Sequence, residues 1–179
     1  TASVPAKTHQ QPSIELVDGT VLPIDDFSVE GARAQIKLHG GAAISDQPLS
    51  VDVKHLAAVR LQPLENAVAE QWDEIRSQNL ATDVLVVLKR DGASLDYAEG
   101  IVGEVSSTKV VVELDGESMR VDRGKVAGFV YFRPKKQLEK DTYCILQGRQ
   151  GLKAAVESVT WKDELLHVRT VAGIEFDWL

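Results

Sequence analysis

Apolar residues alternate with polar ones along most of this chain, the period-2 pattern of half-buried β-strands. Two stretches run through that pattern in the same order. The first predicts strands near residues 13–17, 20–29, 32–38, 49–52 and 57–61, and the second near 83–90, 95–105, 108–114, 117–121 and 127–132. Asp18-Gly19 and Asp91-Gly92 supply the first turn of each set, and "ELDGES" a tight hairpin in the second. Glu99-Gly100 interrupts the long second strand, where a glycine marks a bend or bulge.

The two endings match without a gap. Laying "SVDVKHLAAVRLQP" from Ser50 on "RVDRGKVAGFVYF" from Arg120 pairs Asp52 with Asp122, Leu56 with Val126, Ala58 with Gly128 and Val59 with Phe129, an offset of 70 positions throughout. The first copy departs mainly in "HGGAAISDQP" at 39–48, which replaces the tight hairpin. Five short, bent antiparallel strands in about fifty residues suit a small closed barrel, because closure removes the edges a short sheet would expose. The pattern therefore predicts SH3-like or Sm-like five-stranded barrels, at residues 13–63 and 82–134.

Between them, in 64–81, Leu64, Val68, Trp72 and Ile75 recur at helical spacing behind Pro63, which predicts an amphipathic connecting helix with Trp72 in its core stripe. A charged linker at 135–141 follows the second copy. The pattern then begins a third time in 142–179 with "TYCILQ", "LKAAVESVTW", "ELLHVRTV" and "GIEFDWL". This unit has four strands and no closing segment, so it reads as truncated. An open strand edge is expected at 173–178, where self-association would occur. Residues 1–12, rich in Pro, Thr, Gln and Ser, read as a flexible lead-in.

Composition narrows the chemistry. Hydrophobic residues at 44% can build real cores, while 27 acidic against 20 basic residues give a net charge of −7 that repels phosphate backbones. A nucleic-acid role therefore needs a local basic patch. One cysteine excludes an internal disulfide, and the longest apolar run, "VLVVL" at 84–88, is far short of a bilayer span. Cys144 reads as a structural thiol in an apolar strand, and the four histidines lack metal-ligand spacing, His39 beside Gly40-Gly41 being the most loop-like. Neither a G-x-S-x-G elbow nor a phosphate loop occurs. No catalytic, cofactor or metal residue is assigned, and the chain is not expected to be an enzyme.

Two contact sites remain as candidates. Val121-Asp122-Arg123-Gly124-Lys125-Val126 resembles the second signature of Sm-like barrels, a hydrophobic-basic-glycine turn before the last strand, which implies RNA contact through Arg120, Arg123 and Lys125, with Lys135 and Lys136 nearby. The first copy has Val53 and Lys54 where the second has Arg123 and Gly124, so the basic residues are the part that does not repeat. The repeated aspartate is what a turn needs to accept backbone N–H groups. Trp161, at the "TWKDE" turn, and Tyr97 are candidates for glycan or partner contact, since an exposed aromatic can stack on a sugar face.

The second copy and its approach carry a wider likeness. "AEQWDEI", "LDYAEGIVGEV", "ELDGE" and "GKVAGFVYFRP" resemble the N-terminal region of secreted or cell-surface bacterial proteins that carry, further along, a module of the family named "novel putative carbohydrate-binding module". The likeness covers about residues 13–179 and is strongest over 68–134. It implies an extracellular, periplasmic or cell-surface location, with this region a repeat-built scaffold ahead of the sugar-binding module. The expected function is a non-enzymatic interaction module contacting a protein or surface glycan, with an Sm-like nucleic-acid binder as the alternative.

Overall fold

A computed structural model describes residues 11–40, 48–134, 141–148 and 151–178. The chain is mainly β: the described residues form fourteen strands and one α-helix, with every strand pairing antiparallel in one continuous sheet. The first set is β1 (Ser13–Leu16), β2 (Val21–Glu30), β3 (Arg33–Leu38), β4 (Leu49–Asp52) and β5 (Leu56–Arg60). The helix α1 (Asn66–Ser77) follows. The second set is β6 (Asp83–Leu88), β7 (Leu95–Val105), β8 (Lys109–Leu114), β9 (Glu117–Asp122) and β10 (Val126–Val130), and the third is β11 (Cys144–Gln147), β12 (Lys153–Lys162), β13 (Leu165–Thr170) and β14 (Glu175–Trp178).

The pairings repeat as the residues do. β1 pairs with β2 and β5, β2 with β3, and β3 with β4; likewise β6 pairs with β7 and β10, β7 with β8, and β8 with β9. A 3-10 turn, Val53–His55 or Arg123–Lys125, carries the chain into each fifth strand. The third set repeats the first three pairings only. Its strands are four, ten, six and four residues long, the same lengths as β1 to β4.

The long second strand of each set changes partner part-way. β7 pairs with β6 up to Gly100 and with β8 from Ile101 onward. It does so without a break, so the interruption expected at Glu99-Gly100 is a change of partner within one strand. Glycine is needed there because a Cβ would meet the Glu113 carbonyl oxygen at 2.4 Å and Leu114 at 2.6 Å.

The first two sets join through their closing strands. In β5–β10, Val59 faces Phe129, Ala58 faces Val130 and Arg60 faces Gly128. Two further backbone bonds flank them, Leu61 N–H to the Ala127 oxygen at 2.8 Å and Tyr131 N–H to the Ala57 oxygen at 2.9 Å. Each of these pairings is matched by its equivalent 70 positions on, so a local two-fold axis passes between Val59 and Phe129. A second contact pairs Val29 with Val105 at the far ends of β2 and β7.

One core, with Phe27 and Phe129 at ring-centroid distance 5.8 Å, runs through all three sets. A second cluster lies on the other side of β5, β10 and β6, under the helix. Strand β10 is buried along its whole length because both its faces are covered, which explains the unbroken small and apolar run "VAGFV". The helix is shorter than expected. Leu64 is buried but stands before its start, since Glu65 is extended, and Gln78 is extended after its end. Ala69, Trp72 and Ile75 form its buried stripe. The Trp72 ring lies on Gly128, where an added Cβ would come within 2.7 Å of it and 2.2 Å of the Val59 oxygen.

The third set attaches to the first turn of the chain. Lys153 pairs with Val21, Ala155 N–H donates to Thr20 Oγ1 at 3.0 Å, and Ala172 N–H donates to Asp18 Oδ2 at 2.7 Å. Strand β14 pairs on one side only, but so do β4 and β9, so an open edge at 173–178 is the ordinary state of a fourth strand here. Among the described residues, the edge peculiar to the third set is that of β11, whose counterparts β1 and β6 are each covered by a fifth strand.

Candidate functional site

The basic corner splits into separate roles. Arg123 is only 17% exposed and its guanidinium donates from Nη1 to the carbonyl oxygens of Phe27, at 2.5 Å, and Ser106, at 2.9 Å. Its Nη2 is 3.4 Å from Asp26 Oδ1, and burial lowers its pKa from the ordinary arginine value. Arg123 thus ties the second set's turn to the first set's long strand, a contact that Val53 in the first copy could not make. Arg120 and Lys125 stay exposed, with Lys125 3.7 Å from Asp122. Lys135 and Lys136 lie outside the described residues.

The two repeated aspartates do different work. Asp52 accepts the Lys54 N–H at 3.0 Å, as a turn aspartate should, and that bond holds its pKa below the usual carboxylate value. Asp122 makes no such cap. It pairs instead with Lys109, across β8–β9, and this hydrogen-bonded ion pair lowers its pKa. A cross-strand cation therefore replaces the backbone donor.

Trp161 is 66% exposed, and Tyr97, on β7 opposite Val86, is 44% exposed. Trp161 belongs to a row across three strands: it faces Leu166, which faces Trp178. Counted along strands of equal length, the same row in the first set is Val29, Ala34 and Val51, all buried. In the second set Val105 and Val110 are buried and Val121 half-buried. Val29 and Val105 pair with each other in the second contact between those two sets. Trp161 thus occupies, uncovered and enlarged, the position of the second contact between the first two sets.

The opposite face of the third set carries a polar arrangement that residue order alone did not bring out. Thr160 faces His167, which faces Asp177; two residues along, Ser158 faces Arg169, which faces Glu175. His167 Nδ1 lies 2.5 Å from Asp177 Oδ1, its Nε2 is buried without a partner, and these six side chains line a depression of about 270 Å³. Alternation in β12 to β14 was the available signal, but the cross-strand partners follow only from register. Asp177 can orient the imidazole, while Thr160 makes no bond to it, so the row lacks the nucleophile–base hydrogen bond of an activated hydroxyl.

Cys144 is half-buried on β11 rather than enclosed, because that strand is covered on one side only. His39 Nδ1 lies 2.5 Å from Asp25 Oδ1, and among the described residues no three His, Cys, Asp or Glu side chains gather as metal ligands. Arg133, which the sequence did not single out, donates to the Val53 and Leu56 carbonyl oxygens at 2.7 and 2.8 Å and lies over the Tyr131 ring, 4.7 Å from its centroid. Among the described residues no helix is long and apolar enough to cross a membrane. No protein family, curated protein or solved structure matches this chain.

Proposed function

We propose that this chain is a non-enzymatic interaction or scaffold module that uses its third unit to contact a protein or a cell-surface glycan. Trp161 carries the reading: a large apolar side chain stands 66% exposed at the position where the other two units make their second contact. An exposed aromatic of this size offers contact area at low conformational cost, and binding energy concentrates on such anchors.

The units are read as small SH3-like or Sm-like barrels, because each fifth strand returns to the first strand of its own set. An exported, cell-surface setting rests on the wording shared with proteins that bear a carbohydrate-binding module. The nucleic-acid alternative keeps Arg120 and Lys125 but loses Arg123 to the inter-unit contact.

The test is capture of surface polysaccharides and surface proteins by the immobilised chain. Trp161→Ala should abolish capture while leaving the melting curve unchanged. Capture that survives this substitution removes the named site, and single-stranded RNA binding that weakens steeply with salt would favour the alternative.

A further inference from the structure

Among the described residues, the outer edge of β11 lacks the fifth strand that covers its counterparts in the other two sets. In the first set Ile14 pairs with Leu22, the second residue of a ten-residue strand, and is covered on its other side by Val59. In the second, Leu85 is covered in the same way by Phe129. Leu146 pairs with Ala154, again the second residue of a ten-residue strand, and is therefore the counterpart of Ile14. Ile14 is fully buried and Leu85 nearly so, whereas Leu146 is half-buried, and among the described residues nothing pairs with its strand from outside. Around it Ile145 is 48% and Tyr143 75% exposed.

We propose that the outer edge of β11 accepts an antiparallel strand of the same type that closes the first two units. That occupant is defined by what fills the place twice already: an apolar residue, alanine, any residue, then Val or Phe, as in Leu56-Ala57-Ala58-Val59 and Val126-Ala127-Gly128-Phe129. Its Val or Phe would lie opposite Leu146, as Val59 lies opposite Ile14, and its main chain would satisfy the edge by strand addition. The inference rests on the interaction-module reading but uses a different surface from Trp161, so the two can fail separately.

The probe is a synthetic peptide of residues 51–62, VDVKHLAAVRLQ, added to the whole chain. Cys144, the sole cysteine, sits on the edge and reports locally through its rate of modification by a thiol reagent. Saturable peptide binding should slow that modification, and in the unmodified chain it should slow amide exchange at residues 144–147. A peptide carrying Asp at the position of Val59 should bind at least about tenfold more weakly, the factor expected when one buried apolar anchor is lost. Leu146→Asp in the chain should have the same effect. Absence of saturable binding, or binding that leaves residues 144–147 exchanging at their free rate, overturns the proposal. So does a concentration-dependent dimer that protects Cys144 with no peptide present, because the edge would then belong to a second copy. Capture that survives Trp161→Ala, with peptide binding intact, would remove the earlier site and leave this one standing.

Discussion

Val59 and Phe129, equivalent residues of two copies, face each other across β5–β10, so the interface between the first two units is made of matching positions meeting about a local two-fold axis. A symmetric junction of this kind is self-complementary, as in a two-fold dimer, although here one chain supplies both sides. What sits near the axis therefore bears on the joint between units as well as on either unit alone.

Gly128 is the most constrained of these residues. Gly128→Ala would push a methyl group into the Val59 oxygen and the Trp72 ring. The expected cost is about 1–3 kcal/mol from overpacking, read as a lowered urea midpoint with an unchanged slope. Gly124→Ala, whose added Cβ meets nothing within 4 Å, should leave the midpoint nearly where it is.

Trp72→Ala tests the other side of the same contact. The ring is buried between the helix and β10, so its removal should cost about 3–5 kcal/mol and release the helix from the sheet. Helical circular dichroism lost below the main unfolding transition would report that release.

Arg123→Ala separates a structural arginine from an RNA-reading one. Two backbone carbonyls lose a charged donor, so stability should fall by about 1–3 kcal/mol in chemical denaturation. Any RNA affinity at low salt should respond to Arg120→Ala and Lys125→Ala instead.

His55 gives a signed pH dependence. Burial, assisted by Lys54, lowers its pKa below the ordinary value of 6.5, while Asp52 and Asp18 oppose that shift and Arg133 adds to it. The unfolded chain then binds the proton more readily than the folded one, so this contribution to stability is complete above about pH 6.5 and fades as pH falls through the folded pKa. Melting temperatures between pH 7 and pH 5 should decline in the parent chain and decline less in His55→Gln.

Strand positions and turns were legible because each rests on local signals: alternation, Asp-Gly turns and the 70-position repeat. Trp72 likewise announced its burial through helical spacing. The roles of Arg123, Asp122 and His167 were not legible, because each is decided by a residue brought near only by pairing: Phe27, Lys109 and Asp177 respectively. The β11 edge was not legible for a related reason. A missing fifth strand exposes the strand it would have paired with, the first of its set, and sequence order points instead to the fourth.

The side chains over the two-fold joint break the symmetry that its backbone keeps. Gln62 reaches the Gly124 and Val126 carbonyl oxygens at 2.8 and 2.9 Å, whereas Arg133 covers the Val53 and Leu56 oxygens on the other side. At the equivalent positions stand Phe132 and Pro63, neither of which could take over the exchanged task. The copies have thus diverged into unlike halves. Replacing one copy with a duplicate of the other would give both turns the same kind of clamp, two amides or two guanidiniums, so the present pairing of one amide with one guanidinium is what distinguishes the two sides of the joint.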